Sequence, residues 1–464
     1  MAAILPKSGA PEASRWWAYR LASPAAALLL FAVLAVLWRW GPHAPYFGIL
    51  RLFGFEPFHF PFLDIHAVLA AAQCQRLGID VYLSNPCDVL GRVHVYSPLW
   101  LAITPGFLGT ASTTPVGLGV DLTVILSFVY VMRPVGCGDA AILALAALSP
   151  MTVYALERAN CDLIVFLLVV GGCALGRAPR PWRLGGYALY LFAGLLKYYP
   201  LVLLVMMARE RRRDAWIGAA LAALIVLGLA GIDHAELRKA LANIPALSYF
   251  ADSFSARNLP FGLADSVFGP RLRSLASVLL LAVLAALGAA RTRRTLHLLD
   301  AAALDPDLLE GQLLLVGALL VTACFFAGQN VDYRGIYFVL IMPGLVGLRR
   351  VSDDRAVRGF LAQMIAVVLF VAWAMPLRDA VHRSAGAISG GATGLRIDLL
   401  FWLGRELAWW WLIAGLVAII LGYASQTPTW PGRRARGVGP GARDPRPLRH
   451  ANIKSAIRPA AGRP

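Results

Sequence analysis

Charge is scarce in this chain, and acidic charge is scarcest. Charged residues make up 15% of it, with 26 Asp plus Glu against 43 Lys plus Arg. A soluble domain carries about 25% charged residues, so most of these 464 residues are not suited to water and no room is left for a large soluble domain. No internal repeat is present. The string Gly437-Val438-Gly439 has no strand before it, which excludes a nucleotide-binding fingerprint. A net charge of +17 would point to nucleic acid in a soluble protein. Here no basic domain or aromatic–basic surface segment accompanies it, so that class is set aside. The first apolar run, Leu21 to Leu37, follows Lys7, Arg15 and Arg20 and continues through Trp38-Arg39-Trp40. It lacks a small-x-small cleavage site, and so reads as an uncleaved first span with an aromatic anchor.

What the chain has in abundance is apolar sequence: 59% hydrophobic residues and a mean hydropathy of +0.65. Runs near 20 residues recur, which predicts an all-α, polytopic membrane protein. About twelve spans are expected: Leu21–Trp40, Val116–Met132, Ala140–Leu156, Leu163–Leu175, Leu184–Leu196, Pro200–Ala208, Trp216–Ile232, Leu275–Ala290, Leu313–Ala327, Ile336–Leu348, Phe360–Met375 and Leu407–Tyr423. Those flanking Lys197 fall short of the roughly 20 residues that cross a bilayer unaided, and are expected as helices inside a bundle.

Basic residues set the orientation. Arg133; Arg177, Arg180 and Arg183; Arg209 and Arg211 to Arg213; Arg291, Arg293 and Arg294; and Arg349 and Arg350 follow the even-numbered spans. This places both termini in the cytoplasm. The assignment requires that Ser97–Leu108, broken by Pro98 and Pro105, does not cross. Arg378, Arg383, Arg396 and Arg405 run against the trend, falling in or near an outer loop. The expected organisation is a cytoplasmic N-terminus (1–20), a transmembrane domain (21–425) and a disordered basic cytoplasmic tail (426–464). The domain's long outer loops are 41–115, carrying interfacial helices, and 233–270.

With this topology the polar residues gather on the outer side. The first loop holds Asp64, His66, Asp80, Tyr82, Asp88, His94 and Tyr96. Glu157, Arg158, Asn160 and Asp162 join the third span to the fourth, Lys197, Tyr198 and Tyr199 occupy the next outer turn, and Asp332, Tyr333 and Arg334 another. The periplasm has no ATP and no nucleotide sugars, so an enzyme acting there needs a substrate that arrives activated, usually on a lipid.

An acidic residue shortly after the first span, followed by Gly78-Ile79-Asp80-Val81-Tyr82, resembles the GT-C glycosyltransferases. Val95-Tyr96-Ser97-Pro98-Leu99-Trp100, Leu156-Glu157-Arg158-Ala159-Asn160-Cys161-Asp162 and Leu196-Lys197-Tyr198-Tyr199-Pro200-Leu201 are similar to motifs of glycosyltransferase family 87. Its best-known members are bacterial polyprenol-phosphate-mannose-dependent mannosyltransferases. The resemblance spans about residues 20 to 425. Ala159 and Cys161 stand where close relatives would be expected to have Gly and Asn. The resemblance implies inverting transfer of mannose or a similar sugar from a polyprenyl-phosphate donor to a periplasmic glycolipid or glycan, by an enzyme of the bacterial inner membrane whose site faces the periplasm.

In that reading Asp64 occupies the position of the catalytic base, able to take a proton from an acceptor hydroxyl. Its competing role is to cap the helix beginning at Ile65. Lys197 would face the donor phosphate, or else snorkel to headgroups. Arg334 would clamp the phosphate, or be neutralised by Asp332. Glu157, Arg158, Asn160 and Asp162 are candidates to orient sugar hydroxyls, or to pair among themselves. His66, Asp80, Tyr82, Tyr96, Tyr198 and Tyr333 complete the candidate substrate contacts. Asp64 and His66, with Asp88 or His94, form a conceivable metal set, but an Asp-x-Asp pair is missing and no cofactor is expected. Cys74 and Cys87 share the outer loop, where a disulfide can form. A flippase for lipid-linked sugars and a polysaccharide polymerase or ligase are the alternatives. The flippase predicts repeat symmetry and midplane charges, which the sequence does not show.

Overall fold

The computed structural model describes residues 10–58, 60–299, 308–389 and 391–426. The basic tail expected beyond Gln426 lies outside the described residues. Within lipid a backbone must satisfy its own hydrogen bonds, which favours helices, and the chain is mostly helical.

Among the described residues seven helices are long and apolar enough to cross a membrane: Trp17–Arg39, Thr110–Val131, Arg212–Ile232, Arg271–Leu299, Leu309–Ala327, Arg355–Ala372 and Ile397–Ser425. An eighth is counted if Cys137–Ala147 and Pro150–Glu157, bent by 45°, form one span. The bend has a local cause. Pro150 cannot continue the preceding helix, and the Ser149 hydroxyl caps the new one at the Thr152 amide. The other four expected spans fall in shorter or charged elements: Cys161–Gly176, Arg180–Lys197, a 3-10 stretch Tyr199–Arg209, and Phe338–Val351. Apolar runs this short need neighbouring helices on their flanks, and every residue from Phe338 to Val346 is buried.

The bundle has an interior and a rim. In Leu309–Ala327, 78% of the apolar window is buried, against 6% in Arg212–Ile232 and in Arg271–Leu299. These helices are similarly apolar, so burial separates the central pillar from helices whose side chains are left for lipid.

The long connections form structured caps. Segment 41–115 carries helices His43–Leu52, Leu63–Arg76 and Leu99–Ile103 and a 3-10 turn, Thr110–Ser112. The five-residue helix Leu99–Ile103 is far too short to cross. A disulfide joins Cys74 to Cys87, tying helix Leu63–Arg76 to the loop after it. Segment 233–270 carries helices His234–Ala242 and Asn258–Val267. Its strand Ser253–Phe254 pairs antiparallel with Asn330–Val331, Ser253 opposite Val331.

Two of the four basic residues that ran against the orientation trend have a structural explanation. Arg378 and Arg405 both engage Asp252 in segment 233–270. They serve an ion-pair network with that segment.

Candidate active site

Asp64 is the second residue of helix Leu63–Arg76, and its side chain is not a cap. Phe62 occupies the N-cap position in a left-handed conformation, φ 68°, and makes no side-chain cap. The helix start is instead held from outside: the Phe62 amide donates to the Glu157 carbonyl at 2.7 Å and the Asp64 amide to the Arg158 carbonyl at 3.0 Å. This frees the carboxylate. Its Oδ2 accepts from Asn160 Nδ2 at 2.6 Å, and Oδ1 faces Arg92 Nη1 at 3.5 Å.

Asn160 opens helix Cys161–Gly176, its Oδ1 accepting from the Asp162 amide at 2.8 Å. The same oxygen accepts from Lys197 Nζ at 3.3 Å. One amide thus bridges the Asp64 carboxylate and the Lys197 ammonium. Lys197 also pairs with Asp162 at 3.1 Å and lies over the Tyr96 ring at 5.0 Å. Arg334 reaches the same Asp162 oxygen at 3.3 Å, rests over Tyr199 and binds the Asn330 side chain. Tyr199 donates to Asp162 at 2.6 Å and contacts Tyr337.

Charge is unevenly divided here. On one side two cations, Lys197 and Arg334, share the single carboxylate of Asp162. On the other, Arg92 is shared by two carboxylates, gripping Asp88 at 2.9 Å and facing Asp64. One end therefore carries a surplus positive charge and the other a surplus negative one. Beside them opens a cavity of about 450 Å³ whose lining includes Arg92, Tyr96, Lys197, Tyr198, Tyr333 and Arg334; Asp64, Asp88 and Asp162 do not line it but pair with its cations.

Backbone strain marks the same place. The non-glycine residues with positive φ among the described residues are Phe62, Ala159 and Tyr198, at 68°, 40° and 59°. Each lies within two residues of Asp64, Asn160 or Lys197. Such conformations cost about 1–3 kcal/mol apiece and persist where surrounding structure enforces them. The Gly expected at position 159 has a physical reason: Ala159 sits where glycine is least strained.

Other expected site residues are employed elsewhere. His66 Nε2 accepts from the Val89 amide at 3.4 Å, so Nδ1 carries the proton and donates to Thr113 Oγ1 at 2.9 Å. Burial pushes its pKa down, keeping the ring neutral. Asp88 is held below the usual carboxylate range by Arg92 and by backbone amides, against the opposing effect of burial. Asp80 is exposed and pairs with Lys239 at 2.6 Å, linking the two long loops. Tyr82 is buried, with its ring edge-on to His94. Glu157 and Arg158 pair with each other at 3.0 Å, the alternative the sequence left open. Asp332 does not neutralise Arg334. It is fully buried, its carboxylate oxygens make no hydrogen bond, and its electrostatic neighbours are Arg405, Asp252, Glu406 and Arg378. No group of three or more His, Cys, Asp or Glu side chains among the described residues is arranged to hold a metal ion. Arg92 was missed by sequence reading, because it pairs with Asp88 through a loop rather than along a helix, where spacing carries no signal.

The family model of glycosyltransferase family 87 matches residues 92–322. The chain is a GT-C type membrane glycosyltransferase. The matched part of the glycosyltransferase includes Arg92, Tyr96, Asn160, Asp162 and Lys197, and leaves out Asp64 before it and Arg334 after it. No curated protein and no solved structure matches the chain. A glycosyltransferase needs a base to ionise the acceptor and positive charge to stabilise the leaving group. Lys197 and Arg334, which line this cavity and share one carboxylate, are suited to the second need, and the nearby Asp64 carboxylate is a candidate for the first.

Proposed function

We propose that this glycosyltransferase moves mannose or a similar sugar, with inversion, from a polyprenyl-phosphate donor to a glycolipid or glycan acceptor, with Asp64 as general base. The acceptor hydroxyl gives its proton to the Asp64 carboxylate as its oxygen attacks the anomeric carbon. The bond from that carbon to the phosphate oxygen breaks, and the electron pair leaves with the lipid phosphate. The surplus positive charge of Lys197 and Arg334 is available to that phosphate. Asn160 supports the reading most directly, because its amide fixes the spacing between base and cation.

In this proposal the protein sits in a bacterial inner membrane with both termini cytoplasmic. The transmembrane domain is 21–425, threaded as about twelve spans including the short interior helices. Loops 41–115 and 233–270 and the site face the periplasm, where an activated lipid-borne sugar can be used without nucleotides. His66, Asp80 and Tyr82 support the first loop, while Tyr96, Tyr198, Tyr333 and the 157–162 turn shape the pocket. Asp332 acts from behind it.

The test is turnover of a radiolabelled polyprenyl-phosphate mannose by purified protein in nanodiscs. Asp64→Asn is expected to abolish transfer while the protein remains folded and still retains donor. Turnover by Asp64→Asn near the parental rate would remove the base assignment, and a requirement for a diphosphate donor would remove the donor assignment.

A further inference from the structure

A second cavity of about 610 Å³ lies between segment 233–270 and the last helices. Its lining includes Phe250, Arg378, His382, Asp398, Trp402 and Arg405. Two features define what it can hold. Phe250 and Trp402 meet with ring centroids 4.7 Å apart, and Trp402 Nε1 is bonded to the Tyr249 carbonyl at 2.9 Å, which locks the indole. Trp402 is buried and backs Phe250, which is exposed and offers an apolar ring face suited to the C–H face of a pyranose.

The charged groups are already paired. Arg378 engages Asp252 and Asp379, Arg405 engages Asp252 and Glu406, and His382 lies 2.8 Å from Asp398. Two guanidinium groups thus face three carboxylates and leave no surplus cation, so an anionic headgroup or phosphate would meet no net attraction. What remains is a set of oriented donors and acceptors beside aromatic rings. His382, Asp398 and Arg378 all keep part of their side chains exposed, at 63%, 32% and 32%.

The cavity is coupled to the candidate active site. Val331 lines the first cavity and pairs with Ser253 across the two-stranded ribbon. The Ser253 carbonyl accepts from Arg405, which lines the second. One ribbon therefore forms part of the structure behind both.

We propose that this second cavity binds a neutral oligosaccharide segment of the acceptor, remote from the sugar that is transferred. The proposal rests on the glycosyltransfer reading for the word acceptor, but not for the binding itself. It implies that longer acceptors bind more tightly than single sugars.

The experiment probes nanodisc-embedded protein with an array of neutral hexose oligosaccharides, then titrates a positive by saturation-transfer NMR. Wild type and Asp64→Asn are expected to bind the same oligosaccharide equally, since Asp64 does not line this cavity. His382→Ala and Asp398→Asn, both at partly exposed positions, are expected to weaken it about tenfold, and Trp402→Phe to weaken it less. Binding by Asp64→Asn without turnover separates this proposal from the catalytic one. Absence of binding to every neutral oligosaccharide would overturn it, as would unchanged affinity in the His382 and Asp398 variants. Signal that follows the anionic lipid content of the nanodisc would also overturn it, assigning the cavity to a headgroup.

Discussion

The two cavities are built from the same residue types and behave as opposites. Each is lined by arginines and aromatic rings, with aspartates lining the second and pairing with the lining cations of the first, and they meet at one short ribbon. In the first, charge is left over at both ends: Lys197 and Arg334 share Asp162, while Asp88 and Asp64 share Arg92. In the second, Asp252 sits between Arg378 and Arg405, and further carboxylates complete the neutralisation. The lesson is that cation content does not identify a phosphate site. The balance of each cation against its own partners does, because a paired charge has little field to offer a ligand.

The largest expected effect breaks the negative end of the first cavity. Asp64→Asn keeps the shape but cannot accept a proton, and loss of a positioned general base costs about 10²–10⁴-fold in rate. Initial-rate assays with saturating donor check this. A loss of less than tenfold would place the base elsewhere. Next comes the positive end. Arg334→Gln removes one of the two cations on Asp162, and should reduce kcat/KM by about tenfold to a hundredfold, mostly through weaker donor binding. Competition by a non-transferable polyprenyl phosphate measures this separately from turnover. Inorganic phosphate should likewise inhibit competitively against donor, and should leave oligosaccharide binding in the second cavity unchanged.

A smaller effect depends on pH. His94 lies against Tyr82 and Tyr96, and its buried Nε2 has no hydrogen-bond partner. Burial pushes its pKa down to about 4, from an ordinary value of about 6.5. The unfolded chain then binds a proton that the folded chain refuses. The stability contributed by the neutral ring is complete above about pH 6.5 and is lost as pH falls toward 4, on the order of 3 kcal/mol in all. His66 shifts in the same direction. Thermal unfolding of wild type should therefore weaken between those pH values, and His94→Phe should flatten the dependence. An equally steep profile in the variant would assign it to other groups.

The apolar runs made the membrane fold legible, because twenty residues without charge have few destinations other than a bilayer. Asp64, Asn160, Asp162, Lys197 and Arg334 were legible as candidates, since polar side chains at the ends of apolar helices need a reason. Their partnerships were not. Nothing in the spacing says that Asn160 bridges residues 64 and 197, or that Arg334 chooses Asp162 over the nearer-in-sequence Asp332. Those choices depend on how helices far apart in sequence pack. Hydropathy likewise measures a run in isolation, whereas Cys161–Gly176 and Phe338–Val351 are short helices sheltered by neighbours.

The smallest effect concerns the backbone strain beside Asp64, Asn160 and Lys197. Ala159 holds φ at 40°, immediately before Asn160. Glycine adopts that conformation at little steric cost, so Ala159→Gly brings a relief of about 1 kcal/mol, offset in part by the greater freedom of glycine in the unfolded chain and by loss of a buried methyl that packs with Phe62, Ile65 and Leu69. Its informative outcome lies in catalysis. If the strained turn serves to press the Asn160 amide onto Asp64 and Lys197, relaxing it should leave thermal stability equal or higher while kcat falls a few-fold. If the turn is only a tight connection, kcat should stay constant as the melting temperature rises. Differential scanning fluorimetry and initial rates on the same nanodisc preparation distinguish the two. A fall in both would mean that the lost packing of this buried methyl outweighs the relief of strain.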